Sequence, residues 1–240
     1  MAKILVIQFR NDDASKEREQ KRFNVCFALG ELEYVNACSA EFAWDNPQKL
    51  LQSKGAVILG GSADFYLSRH GQNKEMDEAL MRVEKLINYL FQEDFPTLGV
   101  CFGHQTIAHF LGVKIEHHDN LPEAGAVEVK LMPAGRKSLL FADLPENFLV
   151  QMTHKDYVSE VPQNCTLLGS TAKCPIAAIG YKTNIFGVQF HPELDWEENK
   201  KFVTEINQTY NSPDTHFADS PLAPKILKNF LLIANKCNRF

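Results

Sequence analysis

The sequence predicts an α/β fold, with a mostly parallel central sheet, helices on both of its faces and a small antiparallel extension. Three observations carry that expectation. Short β-rich apolar runs alternate with longer amphipathic stretches through the first half of the chain. After about residue 112 the pattern changes to short strands separated by turns. The 240 residues, 45% hydrophobic and 23% charged, can bury a sizeable core, so one domain over 1–240 is the simplest organisation.

The apolar runs at 4–9, 34–38, 56–59 and 97–101 are the expected parallel strands. A helix opens near Ser15. Another is marked by Met76, Leu80, Val83, Ile87 and Leu90, which recur at spacings of three and four and form one buried stripe. A third helix runs over 103–111, where Gly112 ends it. Strands follow at 126–131, 148–152, 166–170, 176–181 and 185–190. Asp195 with Glu198 three residues later has the form of a capping box opening a helix toward Ile206. Residues 207–224 hold Pro213, Pro221 and Pro224 and read as a long surface loop. A helix over 225–237 closes the chain, with Ile226, Leu227, Phe230, Leu231 and Ala234 along one side.

Composition excludes several function classes. Thirty acidic against 25 basic residues give a net charge of −5, without the basic footprint of a nucleic-acid binder. The basic run at 16–22 is broken by Glu17, Glu19 and Gln20 and reads as a solvated helix face. The opening apolar run stops at Arg10, too short for a secretory segment or a membrane span. Six cysteines with no C-x-x-C pattern point to reduced thiols and a cytoplasmic setting. His104 and His109 fall on different faces of their helix, and neither they nor His117 and His118 have zinc-ligand spacing. No phosphate-cradling glycine loop is present, so neither a metal nor a cofactor is expected.

Chemistry concentrates in three segments. In Gly99-Val100-Cys101-Phe102-Gly103 an apolar strand ends at a cysteine flanked by glycines, and a helix starts at once. This is the shape of a nucleophile elbow, G-x-C-x-G, in which small neighbours permit a strained turn and the helix N-terminus favours thiolate. A structural cysteine at a strand end is the plainer reading of such a segment alone. In Gly187-Val188-Gln189-Phe190-His191-Pro192-Glu193 a second strand ends at a histidine, with a carboxylate two residues on. His191 can take the Cys101 proton and return it to a leaving amine while Glu193 orients the ring. In Leu59-Gly60-Gly61-Ser62 a strand runs into a glycine pair whose backbone N–H groups, with that of Phe102, can face a developing oxyanion.

Together with Met152-Thr153-His154-Lys155-Asp156, these segments resemble the signatures of class I (triad) glutamine amidotransferases, most nearly the glutaminase domain of guanosine monophosphate synthetase. The motif core spans residues 55–193. The resemblance implies a flavodoxin-like sheet and a Cys101-His191-Glu193 triad. It implies a γ-glutamyl thioester on Cys101, with Gly61 and Phe102 as oxyanion donors. It also implies that Gln105, Thr153 and Asp156 bind the substrate's amino-acid end, the last two largely through their backbone. Two positions depart from the family pattern: no proline follows Gly60-Gly61, and Lys155 stands where related chains often have glycine.

The expected activity is therefore release of ammonia from glutamine. With no synthetase motif in the chain, the acceptor reaction is expected on a separate synthetase subunit. The alternative substrate reading is a free-standing hydrolase of γ-glutamyl peptides or γ-glutamyl amines. A non-catalytic regulatory module and a redox-sensing Cys101 are the rivals of other classes.

Overall fold

The computed structural model describes residues 3–27, 31–118, 123–206, 208–210 and 214–237. Within them the first half holds β1 (Lys3–Gln8), α1 (Asp13–Cys26), β2 (Leu32–Asn36), α2 (Pro47–Leu50), β3 (Lys54–Leu59), α3 (Lys74–Gln92), β4 (Thr97–Val100) and α4 (Phe102–Phe110). The second half holds β5 (Ile115–His117), β6 (Glu123–Leu131), β7 (Asn147–His154), β8 (Asp156–Val158), β9 (Cys165–Ser170), β10 (Ala178–Tyr181), β11 (Ile185–Val188), α5 (Trp196–Lys201) and α6 (Lys225–Cys237).

Nine strands form one sheet in the order β2-β1-β3-β4-β11-β10-β9-β6-β7. The pairs from β2 to β11 are parallel, and those from β11 to β7 are antiparallel. β5 and β8 pair separately as a two-stranded ladder. The parallel strands are apolar throughout because both faces are covered. Successive side chains of β1 part to opposite sides, Ile4 and Val6 into the core that includes Phe23 of α1 and Phe230 of α6, Leu5 and Ile7 into the core that includes α3 and α4.

The α3 stripe is buried as its spacing predicts, and Asn73 caps the helix by accepting from Met76 N–H. Gly112, at φ +86°, follows α4. Asp195 caps α5 by accepting from Glu198 N–H at 2.8 Å. The regular helix ends at Lys201 and continues as a π-helical turn over Phe202–Ile206.

One expectation needs correction. Glu19 does not lie on a solvated face: α1 buries Ser15, Glu19 and Phe23, which are four residues apart and share one side of the helix. The described residues of 207–224 run mostly exposed or half-buried and largely without regular structure, anchored at a few points. Tyr210 is buried, His216 accepts from Ala126 N–H at 2.7 Å beside β6, and Ser220 and Ala223 are buried. An aromatic ring and a backbone pairing partner hold this stretch down despite its polar composition. Residues 207 and 211–213 lie outside the described set.

Candidate active site

The chain order changes direction across the sheet at β1, with β2 on one side and β3 on the other, and polar groups gather beyond the carboxyl ends of the parallel strands around this switch. Arg10 follows β1, Gly60 and Gly61 follow β3, Cys101 follows β4, and His191 lies past the end of β11.

Cys101 sits at φ +51°, ψ −102°, a backbone conformation that costs about 1–3 kcal/mol for a side-chain-bearing residue. The flanking glycines make the turn possible. A Cβ on Gly99 would stand 2.5 Å from Gly103 O, and one on Gly103 would stand 2.1 Å from Leu59 O. Both obstacles are backbone, so no rotamer change relieves them. Gly103→Ala is expected to destabilise the fold by about 1–3 kcal/mol or more, read as a lower melting temperature; an unchanged melting curve contradicts this packing.

His191 is fixed by its backbone, whose N–H donates to Gln151 O at 2.9 Å, bridging to β7. Its Nδ1 lies 2.7 Å from Glu193 Oε1, and both side chains are buried. The ring stands beside Cys101: the position a Cβ would take on Gly61 is 3.1 Å from His191 Cε1 and 3.9 Å from Cys101 Cβ. Burial opposes the imidazolium, but the Glu193 carboxylate, with Cys101 adding to the same effect, raises His191 to about 10. Burial likewise opposes the Glu193 charge, and His191 more than offsets it, holding Glu193 below the usual carboxylate range. The Glu193 carboxylate therefore favours a proton on His191.

The structure brings the triad residues together and adds Gln189, whose Nε2 donates to Cys101 Sγ at 3.6 Å. Gln189 stands two residues before His191, and the strand period is the signal that could have found it. Phe102 occupies the first turn of α4, where backbone N–H groups have no intrahelical acceptor. The Gly61 N–H does not stand free as an oxyanion donor: it donates to Glu19 Oε1 at 3.1 Å. A buried carboxylate, not the sequence of the loop, holds that segment.

Gln105 Nε2 donates to Asp156 O at 2.8 Å and lies 3.1 Å from Gln189 Oε1, so it ties Asp156 to the neighbour of Cys101. Asp156 is less open to a ligand than its motif implies. Its carboxylate receives Ser68 N–H at 2.9 Å, lies 2.8 Å from Ser68 Oγ and pairs with His117, while its backbone oxygen also meets His154 Nδ1. Thr153 O lies 4.0 Å from Cys101 Sγ. Thr153 lines two small clefts, one of about 230 Å³ beside Cys101 and Gln105, the other of about 380 Å³ beside His191, Arg10 and Arg22. Tyr210 roofs both, with its hydroxyl 3.1 Å from that of Tyr66 and the Lys155 ammonium 5.2 Å from its ring centre.

His104 lies fully buried behind the elbow, with Nε2 3.1 Å from Ile176 O and Nδ1 without a partner. Burial lowers it to about 3, so the folded protein holds it neutral. The unfolded chain binds the proton from about pH 6.5 downward. Stability from this group is thus full above that pH and lost progressively as pH falls toward 3. His104→Gln is expected to flatten the acid limb of the stability profile between pH 6.5 and 4 in denaturant titrations; an identical acid limb contradicts the assignment.

One group among the described residues has ligand atoms close enough for a metal ion: Glu123, His154 and Cys174, all buried and within 4.8 Å of one another. Sequence spacing does not reveal it, because β6, β7 and the turn before β10 bring it together. Its polar atoms are already engaged: His154 Nε2 lies 3.1 Å from Glu123 Oε2, and Thr171 Oγ donates to Glu123 Oε1 at 2.7 Å. No helix among the described residues is long and apolar enough to cross a membrane.

Comparison with known proteins agrees with this geometry. The profile of the family Glutamine amidotransferase class-I matches residues 20–207. A glutamine-hydrolysing GMP synthase of Dehalococcoides mccartyi is 35% identical over 183 residues, 76% of this chain and 31% of that protein. The enzyme of the same name from Clostridium novyi is 42% identical over 126 residues, 52% of this chain and 23% of that one. The chain thus spans about a quarter to a third of the length of these relatives. Two solved structures share the fold. One is a putative GMP synthase subunit of Thermoplasma acidophilum, with TM-score 0.67 and 24% identity over 98% of this chain and 95% of that one. The other is a glutamine amidotransferase of Thermotoga maritima, with TM-score 0.70 and 18% identity over 97% and 98%. A sheet that sets a cysteine elbow beside a buried His-Glu pair, and a family match over most of the residues that build it, have one meaning: the chain belongs to the class I glutamine amidotransferases.

Proposed function

We propose that this chain hydrolyses the side-chain amide of glutamine by way of a thioester on Cys101. The observation that carries the reading is the placement of Cys101 and His191 side by side against Gly61, with His191 Nδ1 2.7 Å from Glu193, in a chain of this family. The Cys101 thiolate adds to the amide carbon, and the C=O electrons move to oxygen. Collapse expels ammonia, which takes its proton from His191. Water, deprotonated by the same imidazole, then attacks the γ-glutamyl thioester and releases glutamate. Gln105, Thr153 and Asp156 wall the side on which the amino-acid end of glutamine is held. Phe102 N–H faces the oxygen that becomes negative.

The ammonia acceptor is proposed to be a separate synthetase subunit of the cytoplasm. Supporting this are the relatives named GMP synthase and the Thermoplasma acidophilum neighbour, itself described as a putative subunit of such an enzyme. Hydrolysis of γ-glutamyl peptides or amines is a second reading, favoured by the Lys155 ammonium, 5.2 Å from the ring centre of Tyr210 where that ring lines the clefts beside Cys101 and His191. The test is ammonia release from L-glutamine compared with amine release from γ-glutamyl-glycine. Faster turnover of glutamine is the expected result; turnover of γ-glutamyl-glycine alone contradicts the first reading. Co-purification from the native cell is expected to recover a synthetase subunit.

A further inference from the structure

Gln189 Nε2 stands 3.6 Å from Cys101 Sγ, and a buried chain of hydrogen bonds decides which end of that amide faces the sulfur. A backbone carbonyl oxygen only accepts, so both groups that meet Asp156 O are donors: His154 Nδ1 at 3.0 Å and Gln105 Nε2 at 2.8 Å. That sets the Gln105 amide. Its second Nε2 hydrogen faces Gln189 Oε1 at 3.1 Å, which leaves the Gln189 Nε2 hydrogens for Cys101 Sγ. Flipping Gln189 would set two nitrogens against each other and an oxygen against the sulfur, losing both bonds. The far end of the chain is held as well, with His154 Nε2 3.1 Å from Glu123 Oε2 and Thr171 Oγ donating to Glu123 Oε1 at 2.7 Å. Gln189 is fully buried, and its backbone N–H donates to Ala177 O at 2.8 Å.

The two hydrogen-bond partners of the sulfur suit different forms of it. Thr153 O, 4.0 Å away, can accept from a thiol S–H and offers nothing to a thiolate. An N–H donor does the reverse, because it binds a charged acceptor more strongly than a neutral one. We propose that Gln189 is a catalytic residue of this site, its side-chain N–H holding the Cys101 thiolate, and that Gln105, with the His154 and Glu123 pair behind it, positions that N–H. Gln189 transfers no proton in this role; it supplies a fixed dipole at the atom that attacks. It lines neither of the two clefts that Thr153 borders, so it acts on the nucleophile and not on the substrate.

Its place in catalysis rests on the glutaminase reading, but alkylation of the thiol tests it without turnover. Gln189→Met keeps the bulk and removes the donor. The charged groups around Cys101 stay in place: His191 with Glu193 and Arg10 with Glu19 beside Gly61, and His154, Lys155 and Asp156 along the cleft. Tyr210 above that cleft and the Cys174 thiol are likewise unaltered. The rate of Cys101 alkylation by iodoacetamide is measured against pH, with Cys101→Ala as the background of the remaining cysteines. The midpoint in Gln189→Met is expected to lie about one pH unit or more above that of the wild type. For L-glutamine, the acid limb of kcat/KM is expected to move with it, while the plateau above that limb stays within about threefold, since a less stabilised thiolate is the better nucleophile.

A second measurement needs no substitution at Gln189. In isotope-labelled wild type, the Gln189 Nε2–H resonances are expected to move with pH through the midpoint read by alkylation, and to stay still in Cys101→Ala. An unmoved alkylation midpoint in a folded Gln189→Met protein, or Gln189 resonances indifferent to Cys101, overturns the role. A lower plateau with an unmoved acid limb also overturns it, because that is the mark of lost packing alone. A wild type with no glutamine turnover contradicts the glutaminase reading, and the alkylation midpoint still decides the role of Gln189.

Discussion

Cys101→Ala is expected to abolish ammonia release from glutamine, by about 10⁴-fold or more in kcat, with little change in the melting curve. The alanine keeps the Cβ at the elbow, and the turn that strains residue 101 is set by Gly99 and Gly103 packing against backbone, which the substitution leaves alone. Only the sulfur goes. With it goes the nucleophile, the partner of His191 and the acceptor of Gln189 Nε2. Each tenfold of rate is about 1.36 kcal/mol of barrier, so the loss corresponds to roughly 5 kcal/mol or more. Substrate binding is expected to persist, because the wall formed by Gln105, Thr153 and Asp156 is held by its own hydrogen bonds. Isothermal titration of the variant with L-glutamine checks this. Residual hydrolysis within about tenfold of wild type contradicts the assignment of the nucleophile.

The second large effect is expected at Glu193. Glu193→Gln preserves size and can still accept from His191 Nδ1, but it removes the charge that supports the imidazolium. In the triad enzymes where an acid-to-amide change leaves the geometry intact, the loss is about 10⁴-fold, and a similar fall in kcat is expected here. A pH signature accompanies it. His191 is raised to about 10, so the stability its charged form contributes is full below the unfolded value of about 6.5 and is lost as pH rises through 10. Removing the Glu193 charge takes away the largest support of the imidazolium, and the window of charged His191 contracts toward lower pH. NMR of the imidazole or the pH dependence of Cys101 alkylation reads this shift. An unmoved titration contradicts the coupling of the two side chains.

Legibility in the sequence followed the range over which the physics acts. β1, β3 and β4 are readable because burial on both faces makes them continuously apolar. α3 is readable because one wide stripe does all its packing. α1 is different: its buried side consists of Ser15, Glu19 and Phe23, and no hydropathy pattern separates Glu19 from the exposed charges beside it. β5 and β8 hold three residues each, and their pairing depends on contacts some forty positions apart. At the site, Cys101, His191 and Glu193 are legible because each lies in a short segment whose local geometry, a strand ending in a turn, is itself the functional device. Arg10, Glu19 and Tyr210 are not. Arg10 reads as the end of an apolar run, Glu19 as an interruption of basic residues and Tyr210 as part of a loop, and only the sheet order brings them to Cys101. The Gly61 N–H shows the same limit from the other side, since a glycine pair after a strand announces an available donor but not the carboxylate that has taken it.

The central claim is that a γ-glutamyl group passes through Cys101. Rapid acid quenching of the protein during turnover of L-glutamine, followed by mass spectrometry of its peptides, tests that claim most directly. The expected result is a γ-glutamyl adduct on the peptide carrying Cys101, accumulating within the first turnover and absent from Cys101→Ala. An adduct on another residue, or steady ammonia release by the Cys101→Ala protein, contradicts it.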